Sequence, residues 1–183
     1  MDRRTELTEK ALDHVLSNGL IGLSLRPLAA ALGTSDRMLI YHFGSKDELI
    51  ADVVALVNQR FAASFASMAE AAAPARSVGE FVRHAWRALT GADATGPIRL
   101  YLEMCVLALN EPDRWSAALR QIRDPWLGML RDTVSGFGTP EAQVPVLADL
   151  ILDTLDGLLL SRLVGTDPAR TDAAVDAFAD LLG

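Results

Sequence analysis

The chain has 183 residues, half of them hydrophobic, and a formal charge of −7. That is enough for a real core and for one domain or two small ones. There is no apolar run near the ~20 residues of a membrane span, and the charged start MDRRTELTEK lacks the apolar segment of a secretory signal. A cytoplasmic protein with no membrane partner is expected. Cys105, the single cysteine, excludes an internal disulfide and a cysteine-based zinc cage. The balance is too acidic for a chain whose whole surface meets nucleic acid. Its distribution is uneven, however: residues 1–50 carry six Lys or Arg against seven acids, and both lysines, Lys10 and Lys46, lie there.

From Thr5 to about Asn18, Leu7, Ala11, Leu12, Val15 and Leu16 recur at helical spacing, and Asn18-Gly19 ends the pattern. Arg3 and Arg4 precede it, either as an arm for phosphate or as a solvated terminus. Ile21 and Leu23 close the following turn. A second helix opens at Ser24, with Pro27 tolerated in its first turn and Leu28, Ala29 and Leu32 as its buried stripe. Gly33 supplies the turn, and Thr34 or Ser35 caps a third helix. In that helix Leu39 and Phe43 share one face with Ile40 on its shoulder, leaving Arg37, Met38, Tyr41 and His42 on the other. Two short helices about a tight turn form a helix-turn-helix, and the outward residues suit a helix in the major groove of double-stranded DNA. Ser45-Lys46-Asp47-Glu48 is a capping box for the next helix, and Lys46 stands in its first turn, where a phosphate also finds free N–H groups.

The run LGTSDRMLIYHFGSKDEL resembles the signature of the TetR family of bacterial transcriptional regulators, in which a Gly-x-Ser turn leads through a recognition helix to Tyr-x-His-Phe-x-Ser-Lys. The resemblance covers Ser24 to Leu49 without a gap. It implies a base or backbone contact for Arg26, groove contacts for Arg37, Met38 and Tyr41, and phosphate contacts for His42 and Lys46, with Ser35 grouped among them. Ile40 stands where the family usually has Tyr, and Arg37-Met38 where it usually has Gly-Thr.

The fourth helix runs from Lys46 to about Ala71, close to 40 Å at ~1.5 Å per residue. Pro74 breaks the chain, and Ser77 to Glu80 is a second capping box, opening a helix through Leu89. Gly91 to Pro97 reads as a loop. Ile98 to Leu109 is apolar on nearly every side, with Arg99 and Glu103 spaced to pair at i,i+4. A further helix from Asn110 contains Pro125, which predicts a kink or break near Asp124. Thr139-Pro140 opens a dense apolar helix from Glu141 to Leu163. Gly165 to Pro168 turns, and Thr171 to Leu182 closes the chain.

Two final helices with apolar residues on more than one face suggest a second copy of the chain. Leu155, Leu158, Leu159, Phe178 and Leu182 are the expected interface, and in the TetR family the last two helices pair in this way. Phe61, Phe65, Trp86, Tyr101, Met104, Trp126 and Met129, with Cys105 beside them, are candidates to line a chamber for an apolar or aromatic effector. The same residues also read as ordinary core. Asp149, Asp153 and Asp156 stack on one helix face and read as a solvated stripe, not a metal site. The three histidines lack metal-ligand spacing, and no nucleophile motif is present.

The expectation is an all-α homodimer without cofactor or metal. Residues 1–45 form a three-helix DNA-binding domain, and residues 46–183 a helical domain for ligand binding and dimerisation. The resemblance implies a repressor on a palindromic operator, released by a small, largely apolar effector. An activator is equally compatible with these residues. The rival reading is a helical-bundle binding protein or enzyme whose helix-turn-helix does not bind DNA.

Overall fold

A computed structural model describes residues 2–72 and 75–183, with the side chains of 62–72 left undescribed. Among the described residues every regular element is helical. In chain order these are α1 (Arg3–Asn18), α2 (Leu25–Ala31), α3 (Asp36–Phe43), α4 (Lys46–Ala72), α5 (Val78–Leu89), α6 (Thr95–Asn110), α7 (Pro112–Gly136), α8 (Val144–Leu163) and α9 (Pro168–Leu182). Short 3₁₀ turns at Ala92–Ala94 and Glu141–Gln143 lead into α6 and α8. No helix among them is long and apolar enough to cross a membrane.

The chain divides into two compact units. One comprises residues 1–61 and 99–121, the other residues 62–98 and 122–183. In the first, α1, α2 and α3 pack on one another around Leu7, Leu12, Val15, Leu28, Leu39 and Phe43, all essentially without solvent contact. In the second, α9 packs against both α5 and α8. Gly79 lets α5 approach α9 so closely that a Cβ there would lie 2.2 Å from the Ala179 carbonyl oxygen.

Several boundaries differ from the sequence reading for local reasons. α1 starts at Arg3, so Arg3 and Arg4 form its first turn instead of a free arm; Arg3 pairs with Glu6 at 2.8 Å and Arg4 with Asp52 at 2.7 Å. Pro97 falls in the opening turn of α6, where its missing N–H costs nothing, so the helix begins at Thr95 and the preceding loop is short. α7 is continuous through Pro125; the proline removes the N–H that would meet the Gln121 carbonyl, and Gln121 is an exposed residue. α9 begins at Pro168, with the Asp167 carboxylate accepting from the Ala169 N–H at 3.0 Å. α6 is less covered than its composition suggests: Val106 and Leu109 are exposed.

Candidate nucleic-acid interface

The helix-turn-helix is built by local chemistry. Ser24 stands at the N-cap position of α2 without a side-chain cap bond. Gly33 adopts φ +67°, and the Thr34 N–H folds back onto the Ala29 carbonyl at 2.9 Å. The Ser35 hydroxyl then accepts the Met38 N–H at 3.2 Å, capping α3. Gly44 ends α3 at φ +83°, a backbone conformation that favours glycine. The Ser45 hydroxyl accepts the Glu48 N–H at 3.1 Å and opens α4.

Burial sorts the two faces of α3. Leu39 and Phe43 are fully buried, whereas Arg37, Met38 and Tyr41 are exposed, Tyr41 at 78%. Ile40 is exposed as well. His42 and Lys46 are half-buried, and Arg26 and Ser35 are exposed. The Tyr41 and His42 rings meet edge to face with centroids 5.2 Å apart. Charge pairing sorts the cations of residues 2–61 in the same sense. Arg3 and Lys10 pair with Glu6, Arg4 with Asp52, and Arg60 with Glu9 and Asp13. Arg26, Arg37 and Lys46 make no ion pair among the described residues. The unpaired cations of this segment are therefore those of the helix-turn-helix and of the helix start that follows it.

The candidate effector-lining residues fall in both units. Phe61, Tyr101 and Met104, all buried, and the half-buried Cys105 belong to the first; Trp86, Trp126 and Met129 belong to the second. Phe65 lies in α4 with its side chain outside the described residues. Trp86 is tied into a polar node. Its indole N–H donates to Asp172 at 2.7 Å, and Arg162 donates to the same carboxylate at 2.6 Å. The Trp86 hydrogen bond first, and Arg162 after it, hold the Asp172 carboxyl below the usual carboxylate range against the opposing effect of burial. A cleft of about 210 Å³ opens beside this node, between α5 and α9.

Of the expected dimer residues, Leu155 and Leu159 are buried within the chain itself, while Leu158, Phe178 and Leu182 are half-buried. The apolar residues α8 leaves exposed are Val146, Leu150, Leu160, Leu163 and, at its end, Val164; α9 leaves Leu181. Asp153 and Asp156 are both held by Arg123 of α7 at 2.8 Å, and Asp149 lies 4.0 Å from Arg131, so the acidic stripe fastens α8 to α7.

Arg99 and Glu103 reach beyond the i,i+4 pair that their spacing predicts. Arg99 and Glu103 do approach at 3.7 Å, but their main partners are backbone groups at the end of α1: the Leu16 carbonyl for Arg99, and the Leu20 and Ile21 N–H groups for Glu103. The signal was present only as an i,i+4 pair, whose bland explanation is also true.

Residues 8–53 match the family model described as bacterial regulatory proteins, tetR family. The fold resembles that of a transcriptional regulator from Rhodococcus sp. Rha1, with TM-score 0.80 and 22% identity over 99% of this chain and 96% of that one. A TetR transcriptional regulator from Legionella pneumophila is similar at TM-score 0.75 and 19% identity, over 99% and 97% of the two chains. The multidrug binding protein EbrR, solved in complex with proflavin, is similar at TM-score 0.67 and 25% identity, over 98% and 99%. Comparison with curated proteins finds no match.

Proposed function

We propose, from the match of residues 8–53 to the tetR family of bacterial regulatory proteins, that the chain is a cytoplasmic repressor that binds a palindromic DNA operator as a homodimer and releases it on binding a small, largely apolar effector. Residues 1–45 are assigned to DNA and residues 46–183 to effector and partner. The observation that carries this reading is the set of unpaired cations. Every other Lys or Arg in residues 2–61 is matched to a carboxylate, whereas Arg26, Arg37 and Lys46 are left for an outside anion. Arg37, Met38 and Tyr41 read the groove, Arg26 contacts a base or the backbone, and Ser35, His42 and Lys46 hold the backbone.

A dimer must present its two α3 helices one DNA turn apart, about 34 Å, or at a compatible larger spacing. The exposed stripe of Val146, Leu150 and Leu160 on α8, with Val164 just past its end, is the surface assigned to the partner, together with the half-buried Leu158, Phe178 and Leu182. α4, with 27 residues, is the lever whose swing spoils the spacing. The effector shifts the equilibrium only through unequal affinity for the two states. Its apolar, aromatic class is supported by the aromatic residues of α4 to α7, and by the proflavin bound to the similarly folded EbrR. No acid–base pair suited to turnover is assigned, and the protein is read as a regulator, not an enzyme.

Two substitutions test the division of labour. Arg37→Ala should cost ~1–3 kcal/mol on the cognate operator and relax its sequence preference. Lys46→Ala should weaken binding evenly across sequences and reduce the salt slope by about 1. Equal losses from both variants on every sequence would refute the assignment.

A further inference from the structure

At the end of α1 the backbone hydrogen bond that would prolong the helix is open, and α6 holds both of its halves. The last bond of the helix runs from the Gly19 N–H to the Val15 carbonyl at 2.7 Å. One more helical residue would bring the Leu20 N–H to the Leu16 carbonyl. Instead, Leu16 offers its carbonyl to the Arg99 guanidinium at 2.7 Å, and Leu20 gives its N–H to Glu103 Oε2 at 2.5 Å. The same oxygen takes the Ile21 N–H at 3.1 Å. Gly19 makes room: at φ +92° it turns the chain, and a Cβ there would lie 2.6 Å from Glu103 Oε1. The Glu103 side chain is only 18% exposed, and its bond to Leu20 is part-buried while that to Ile21 lies at the surface.

The arrangement suits a helix end physically. A cation meets the terminal carbonyl, where the helix dipole is negative, and a carboxylate collects two amide donors that would otherwise lack partners. Leu20 and Leu23, both buried, carry the chain from this point into α2. The direction in which α2 and α3 leave α1 is thus fixed by side chains of α6, about 80 residues further along the chain.

We propose that Glu103 and Arg99 are positioning residues for operator reading: they set the exit of α1, and through it the pose of α3, without touching DNA. The inference rests on the DNA-binding reading above. It assigns α6 a direct hold on the reading head that is independent of the lever role given to α4.

The test uses the full-length chain and a DNA fragment that the wild-type protein selects from genomic DNA. Glu103→Ala is expected to lower affinity for that fragment roughly tenfold, within the usual range of coupling between sites. Affinity for unselected DNA of equal length should stay within about twofold, because the phosphate-binding cations are intact. Amide exchange at Leu20 and Ile21 should accelerate. Glu103→Gln retains an oxygen that can accept both N–H groups, and should recover most of the affinity. Glu103→Asp keeps the charge but withdraws the oxygen by one methylene; it should lose affinity like alanine, and serves if the alanine variant does not fold. Unchanged affinity in these variants despite faster exchange would overturn the inference, as would a parallel loss on selected and unselected DNA. Failure of the wild-type chain to select any fragment would instead overturn the DNA-binding reading, and this inference with it.

Discussion

Replacing Gly79 by alanine should separate two effects that usually oppose each other at a helical glycine. A Cβ at this position would lie 2.2 Å from the Ala179 carbonyl oxygen, 3.1 Å from its carbon and 3.0 Å from the Gly183 oxygen. All three are backbone atoms, so no side chain can rotate away. Restoring ordinary contact requires α5 and α9 to part by about 1 Å, since carbon contacts prefer separations near 3.5 Å. Overpacking of this kind costs ~1–3 kcal/mol, and an unyielding backbone belongs at the upper end. The better helix propensity of alanine returns at most ~1 kcal/mol. The clash wins by about 2 kcal/mol, which for a chain of this length lowers the melting temperature by roughly 4–8 °C. Gly128, inside α7, is the control: a Cβ there meets nothing within 4 Å, so Gly128→Ala should be neutral or slightly stabilising. Thermal unfolding of both variants and the parent at one protein concentration decides the matter. A Gly79→Ala protein that melts at or above the parent would refute the close α5–α9 packing.

Further outcomes follow from the same geometry. Asp172 has its folded pKa depressed by the Trp86 hydrogen bond and then by Arg162, so its contribution to stability is present above the ordinary carboxylate pKa of about 4 and is lost as pH falls toward the depressed value. Unfolding of Asp172→Asn against the parent should show a constant difference from pH 5 to 8 that shrinks as the pH falls below about 4; a gap that does not shrink on acidification would count against this. Leu160→Glu places a charge in the exposed stripe of α8 and should turn a dimer into monomer in sedimentation equilibrium, with loss of affinity for a two-fold symmetric site. An undiminished dimer would move the interface elsewhere.

What the sequence made legible was local. The turn at Gly33, the cap at Ser35, the buried pair Leu39 and Phe43 and the cap at Ser45 are each decided within four residues, and the structure places each of them as read. Contacts between distant segments were not legible. Glu103 lies 83 residues from Leu20, and nothing in its neighbourhood indicates that it takes backbone amides as partners in addition to Arg99. Trp86 read as an apolar candidate because its single N–H gives no hint of Asp172, 86 residues on. In α8 leucines occur on most faces, so periodicity could not tell that Leu155 and Leu159 point into their own chain while Leu150 and Leu160 remain exposed. The start of α6 was missed for another reason: Pro97 reads as a breaker until the helix is seen to begin two residues before it.

The unpaired cations and the exposed face of α3 are proposed to read a symmetric DNA site. The measurement that tests this most directly is selection of genomic fragments by the purified full-length protein, followed by titration of the best fragment over a range of salt concentrations. One inverted repeat should be enriched, its half-sites about one helical turn or a compatible spacing apart, with affinity falling steeply as salt rises. Weak binding of equal strength to every fragment would contradict this reading.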